Sequence, residues 1–137
     1  MILLSLALLL NFLSQSPDTI LGTWHGTSLC ADKKADTACK DEVVVYDVDT
    51  VGVKTKENAM LHAYKIVNKE KESMGDLELA YNAESGFWWN DFTTRRGETI
   101  RWQFTVEGSE MSGRLVELPS ARLIRKVEVT REKSEGP

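Results

Sequence analysis

Short runs of alternating apolar and polar residues, separated by turn-forming residues, fill most of this 137-residue chain. Such period-two runs read as antiparallel β-strands. Residues 23–29 form the first run. Residues 32–41 are polar and read as a loop. Residues 42–48, Glu-Val-Val-Val-Tyr-Asp-Val, make the segment richest in β-branched side chains. Residues 51–56 either extend that strand or begin the next. Residues 57–72 carry helix-favouring Ala, Met, Leu, Lys and Glu, yet Leu61 to Val67 also alternates. A strand is predicted there, with a polar turn over 68–73. Leu77, Leu79 and Tyr81 alternate with Glu78, Ala80 and Asn82. A turn at 83–86 leads into the aromatic run 87–92. After a turn at 95–97, Ile100, Trp102, Phe104 and Val106 share one face, and Arg101, Gln103 and Thr105 the other. A turn at 107–109 precedes a run with Met111, Gly113 and Leu115 on one face. A further turn at 119–120 precedes the last strand, 121–131. The prediction is an all-β fold, an antiparallel up-and-down barrel of about eight strands, because closure removes exposed edges.

The first 16 residues break this pattern: they carry no charge, and residues 2–13 are almost wholly apolar. Ser14-Gln15-Ser16 supplies small residues for a signal peptidase. The segment therefore reads as a signal peptide over 1–16, with a barrel domain over 17–137 and export to a secreted or periplasmic location. An uncleaved anchor and a buried segment are the alternatives. The run falls short of the roughly 20 residues needed to span a bilayer, so no membrane span is expected after cleavage. The remaining part, about 120 residues, is large enough to bury a core without metals. A net charge of −4 argues against nucleic acid or an anionic membrane as partner.

Cys30 and Cys39 are the two cysteines. In a small exported chain they read as a disulfide, which closes a loop of about ten residues and stabilises by roughly 2–3 kcal/mol. A redox or metal pair is the other reading, but with only His25 nearby in sequence it makes a poor zinc set. No metal site is expected.

Gly22-Thr23-Trp24, opening the first strand after the leader, resembles the Gly-x-Trp motif of lipocalins and their calycin relatives. The resemblance implies that Trp24 closes one end of the barrel and that a basic residue of the last strand packs across its ring. Arg125, the charged residue among Leu123, Val127 and Val129, is the expected partner. The resemblance covers the two ends of the domain and the meander, and the second and third signatures of the large lipocalins are absent. The opening also resembles nitrobindin-like haem barrels. Their late haem-ligating His has no counterpart among His25 and His62, so no cofactor is expected.

The large inner-face rings and aliphatics, Tyr64, Ile66, Leu79, Tyr81, Trp89, Trp102 and Phe104, are the candidate ligand-binding residues. The expected function is non-covalent binding of a small apolar or amphipathic ligand at the open end of a monomeric barrel. The alternative is a protein-binding module with a filled core, such as an inhibitor of an extracellular protease. No Gly-x-Ser-x-Gly elbow, phosphate loop or His-Glu-x-x-His occurs. No catalytic residues are assigned, and an isomerase or cyclase on the barrel ranks last.

Overall fold

A computed structural model describes residues 19–133. The signal peptide expected over 1–16 lies outside the described residues. Eight strands form: β1 (Gly22–Cys30), β2 (Glu42–Asp49), β3 (Ala59–Val67), β4 (Glu70–Asn82), β5 (Phe87–Thr93), β6 (Thr99–Glu107), β7 (Glu110–Leu118) and β8 (Arg122–Arg131). Each pairs antiparallel with the next in sequence, and β8 returns to β1, so the sheet closes into a barrel. The predicted fold class holds.

Within the segment 57–72, ambiguous by propensity, residues 59–67 and 70–72 are strand on either side of a tight turn. Asn68 and Lys69 both take positive φ (51° and 68°), the backbone that two-residue hairpins require to match strand twist. The polar turn is therefore shorter than the predicted 68–73, and β4 already begins at Glu70. Residues 51–56 belong to neither neighbouring strand. Glu78 on β4 organises their loop: its carboxylate accepts the amides of Lys54 and Thr55 and the side-chain amide of Asn58.

The antiparallel register sorts inward side chains into layers. At one end lie Trp24 on β1, Val48 on β2, Ala59 on β3, Leu79 on β4, Trp88 on β5, Val106 on β6, Met111 on β7 and Val129 on β8. All are buried in one apolar cluster. Ile20, fully buried, plugs this end from below, and its carbonyl accepts the Trp24 indole N–H at 3.0 Å. Tyr46, Leu61 and Phe104 form the next layer up, with the Tyr46 and Phe104 rings edge to face at 6.0 Å.

Two close approaches let the strands pack this tightly. A methyl at Gly26 would stand 2.0 Å from the Glu128 carbonyl oxygen, so glycine is required where β1 meets β8. A methyl at Gly113 would stand 2.7 Å from the Phe104 ring, which lies over that glycine.

The other end of the barrel is less completely zipped. β4 and β5 pair only through Ala80–Asn82 against Phe87–Trp89. Above that ladder, on the cavity side, the strands are bridged by a side chain, Asn90 donating to the Glu78 carbonyl. The β3–β4 register also shifts between Ala63 and Tyr64, so Met74 stands without a Cα partner in the β3 ladder.

Candidate functional site

Above the packed layers the barrel holds a cavity of about 190 Å³, open on one side. Its apolar walls come from Leu61 and Ala63 of β3, Leu77 of β4, and Trp102 and Phe104 of β6. The Trp102 and Phe104 rings are stacked, with centroids 5.6 Å apart and planes 13° apart. Met74, Gly75 and Asp76 of β4 form one side of the rim. They sit on the stretch of β4 that has no β5 ladder partner.

One side of the cavity is polar. Ser28, Glu42, Tyr46 and Arg125 line it together. Ser28 shares the β1 face of Trp24 and Gly26, and is 2% exposed, which places a hydroxyl in an otherwise apolar interior. The Arg125 Nη1 group donates to the Ser28 hydroxyl at 3.1 Å and to the Ser28 carbonyl at 3.3 Å. It also lies 3.3 Å from the Glu42 carboxylate, while Nη2 donates to the Lys40 carbonyl at 2.9 Å. Burial, reinforced by the negative Glu42 nearby, pushes the Tyr46 phenol well above its ordinary value of 10.0, with opposing effects from Arg125 and a hydrogen bond to Ser28. Tyr46 therefore stays a neutral hydroxyl at any physiological pH.

The loop over this end is fixed to the barrel. The disulfide Cys30–Cys39, with Cα atoms 6.1 Å apart, ties it to the end of β1. Asp41 accepts the Cys30 amide and the Lys33 ammonium. Those two bonds hold its carboxyl below the usual range. Arg122 reaches from β8 to Asp36 at 3.1 Å and to Glu117 at 3.2 Å. Together with the Arg125–Lys40 bond, these contacts dock the loop on β8.

The candidate residues divide between inside and outside. Trp102 and Phe104 line the cavity. Leu79 is fully buried in the packed end instead, and Tyr81 packs against that core, its ring 5.0 Å from Trp88. Trp89 faces outward, with the Arg101 guanidinium 5.2 Å from its ring; its neighbour Trp88 takes the inner position, fully buried. Tyr64 also lies outside the cavity, beneath the Lys71 ammonium at 4.3 Å. Ile66 follows it on that face and does not line the cavity. The phase is the reason. Leu61 and Ala63 are the inward residues of β3, so the larger Tyr64 and Ile66 fall on the opposite side.

The barrel-closing basic residue is Arg131, not Arg125. The Arg131 guanidinium lies 4.3 Å from the Trp24 ring, and it donates to the carbonyls of Thr19 and Leu21. The β1–β8 register pairs Trp24 with Arg131 and Cys30 with Arg125. Six residues of strand, about 20 Å, thus separate Arg125 from the position expected for it. Arg125 belongs to the cavity, a role the sequence reading missed together with Ser28, Glu42, Tyr46, Leu61, Ala63 and Leu77. For Ser28 the signal existed: it lies four residues beyond Trp24, on the same strand face.

A second constellation lies beside the rim and shares Asp76 with it. His62 accepts or donates through both ring nitrogens, with Nδ1 2.8 Å from Asp76 and Nε2 3.0 Å from Asp49. Among the described residues, no group of three or more His, Cys, Asp or Glu side chains is arranged to hold a metal ion. No family model matches the chain, and no curated protein or solved structure matches it either.

Proposed function

We propose that this chain is a binding protein that takes up a small apolar or amphipathic molecule, without covalent attachment, in the cavity between Trp102 and Arg125. The carrying observation is a cavity of about 190 Å³ with apolar walls and one polar side, set above a fully packed barrel end. Small-molecule sites have this composition: mostly apolar lining with a few placed polar groups. The short β4–β5 ladder beside the Met74–Asp76 rim provides a route of access. A filled interior would have favoured a protein-binding module or protease inhibitor, and the cavity weighs against that alternative.

The same reading takes the barrel as lipocalin-like. Its support is the Gly22-Thr23-Trp24 opening, with Trp24 closing the barrel under a basic residue of the last strand. The Cys30–Cys39 disulfide supports an oxidising, secreted or periplasmic location. Among the described residues no helix is long and apolar enough to cross a membrane.

Native mass spectrometry of protein purified from its natural source tests the proposal, alongside tryptophan fluorescence during titration with apolar probes. A co-purified small molecule, or saturable quenching that disappears in a folded Trp102→Ala variant, supports the binding reading. A clean apo mass with no saturable response overturns it.

A further inference from the structure

From the polar side of this cavity we infer that the ligand is a neutral molecule of about one aromatic ring in size, carrying an uncharged hydrogen-bonding head such as an alcohol, phenol or amide. The inference rests on the binding reading above and adds the chemistry of what is bound.

Size comes first. A cavity of about 190 Å³ slightly exceeds the roughly 150 Å³ of an engineered apolar cavity that binds benzene. It falls below the roughly 300 Å³ at which pockets for drug-sized ligands begin. The space inside the barrel therefore takes about one ring, and the rest of any longer chain would extend out past the Met74–Asp76 rim. The stacked Trp102 and Phe104 rings form an aromatic wall, against which a flat ring packs well.

Charge comes second. Arg125 is the cation lining the cavity, and it is already neutralised by Glu42 at 3.3 Å. Asp76 at the rim is engaged by His62, and Asp41 also lies close enough to Arg125 to feel its charge. A carboxylate ligand would have to displace Glu42 or sit beside it, and like charges brought together in a desolvated site are disfavoured. A cationic ligand would meet the guanidinium in the same way. What remains available is neutral hydrogen bonding. The Tyr46 and Ser28 hydroxyls are bonded to one another, and Ser28 also accepts from Arg125. A hydroxyl has one donor and two acceptor sites, so the pair keeps one donor and spare acceptor capacity toward the cavity that both line.

The test compares four ring probes of similar size by calorimetric titration: toluene, benzyl alcohol, benzoate and benzylamine. The expected order puts benzyl alcohol at least about tenfold tighter than benzoate and benzylamine, and tighter than toluene. The variant Glu42→Gln keeps an acceptor for Arg125 but removes the negative charge. It is expected to strengthen benzoate binding by about tenfold or more, with a single cooperative melting transition, at a lowered midpoint, as the control on folding. Benzoate or benzylamine binding tightest to the wild type overturns the inference while leaving a binding cavity. Toluene binding as well as benzyl alcohol also overturns it, because the polar side would then select nothing. If no probe binds, the binding reading itself fails.

Discussion

Trp24 and Arg131 stand opposite one another across the β1–β8 seam, the guanidinium 4.3 Å from the indole ring. The contact joins the first and last strands, and it also fixes the segment that plugs the barrel. Arg131 bonds the carbonyls of Thr19 and Leu21, while Trp24 bonds that of Ile20. One side chain thus serves ring stacking, strand closure and capping of the plug. Replacing Arg131 with Ala is expected to destabilise the fold by about 1–3 kcal/mol, combining a cation–π contact with hydrogen bonds to a charged group. Urea unfolding measures it, and a loss below about 0.5 kcal/mol would contradict the assigned role.

Gly26 tests the closure from the backbone side. An alanine methyl would collide with the Glu128 carbonyl at 2.0 Å and the Val129 Cα at 2.7 Å. These are main-chain atoms of β8, which cannot rotate aside. Gly26→Ala is expected to cost about 3 kcal/mol or more, towards the upper end for overpacking. A near-neutral melting temperature would show that the seam is looser than described.

Gly113→Ala probes the cavity instead. Its methyl would press on the Phe104 ring at 2.7 Å and approach Val127 at 3.1 Å. Relief requires Phe104 to move, and Phe104 lines the cavity. The expected outcome is a folded protein, destabilised by about 1–3 kcal/mol, whose affinity for ring probes is reduced. Unaltered affinity in calorimetry would mean that Phe104 does not shape the binding space.

The Cys30–Cys39 bond closes a short loop on the cavity end. Its removal in a Cys30→Ala, Cys39→Ala double variant is expected to cost roughly 2–3 kcal/mol on the loop-entropy argument. The packed end around Trp24 is remote from this loop, so the protein should still fold. Circular dichroism with thermal melting checks both points.

His62 gives the barrel a pH dependence. Its hydrogen bonds to Asp49 first, then to Asp76, outweigh its partial burial and raise its pKa above the ordinary 6.5. Asp47 stands across the ladder from it and is engaged by Lys71 at 3.6 Å. A raised folded-state value means that protonated His62 stabilises the native state. That contribution is complete below about pH 6.5 and is lost as pH rises through the folded value. The three side chains are partly exposed, so the effect is modest. The stability gap between wild type and His62→Gln should therefore shrink as pH is raised from about 5.5 to 8.5. A gap that widens with pH would contradict the assignment.

The strand pattern made the barrel legible, because alternation such as Ile100, Trp102, Phe104 and Val106 against Arg101, Gln103 and Thr105 has one physical solution. The same period identified the inward residues Leu77, Leu79 and Tyr81. It failed where both faces carry large apolar groups. Trp88 and Trp89 are adjacent, and nothing in their order says which is buried; their partners on β4 and β6 decide. On β3 the small Ala63 faces inward and the larger Tyr64 outward, the reverse of what size suggests. The polar side of the cavity was hidden for a related reason. Ser28 and Glu42 look like surface residues singly, Arg125 reads as belonging to the Trp24 end, and only the pairing of β1 with β2 and β8 brings the three together. Arg131 lay on the alternating face of Val127 and Val129, so the closing pair was readable by extending that face to the strand end.

The most direct test of the central claim is to locate a bound probe. Amide and methyl chemical shifts are followed by nuclear magnetic resonance while benzyl alcohol is added to the wild-type protein. The account expects saturable shifts concentrated at Leu61, Ala63, Leu77 and Trp102, with the Trp24 end unmoved. Shifts that do not saturate, or that scatter over the outer face around Trp89 and Tyr64, would contradict a binding cavity in this barrel.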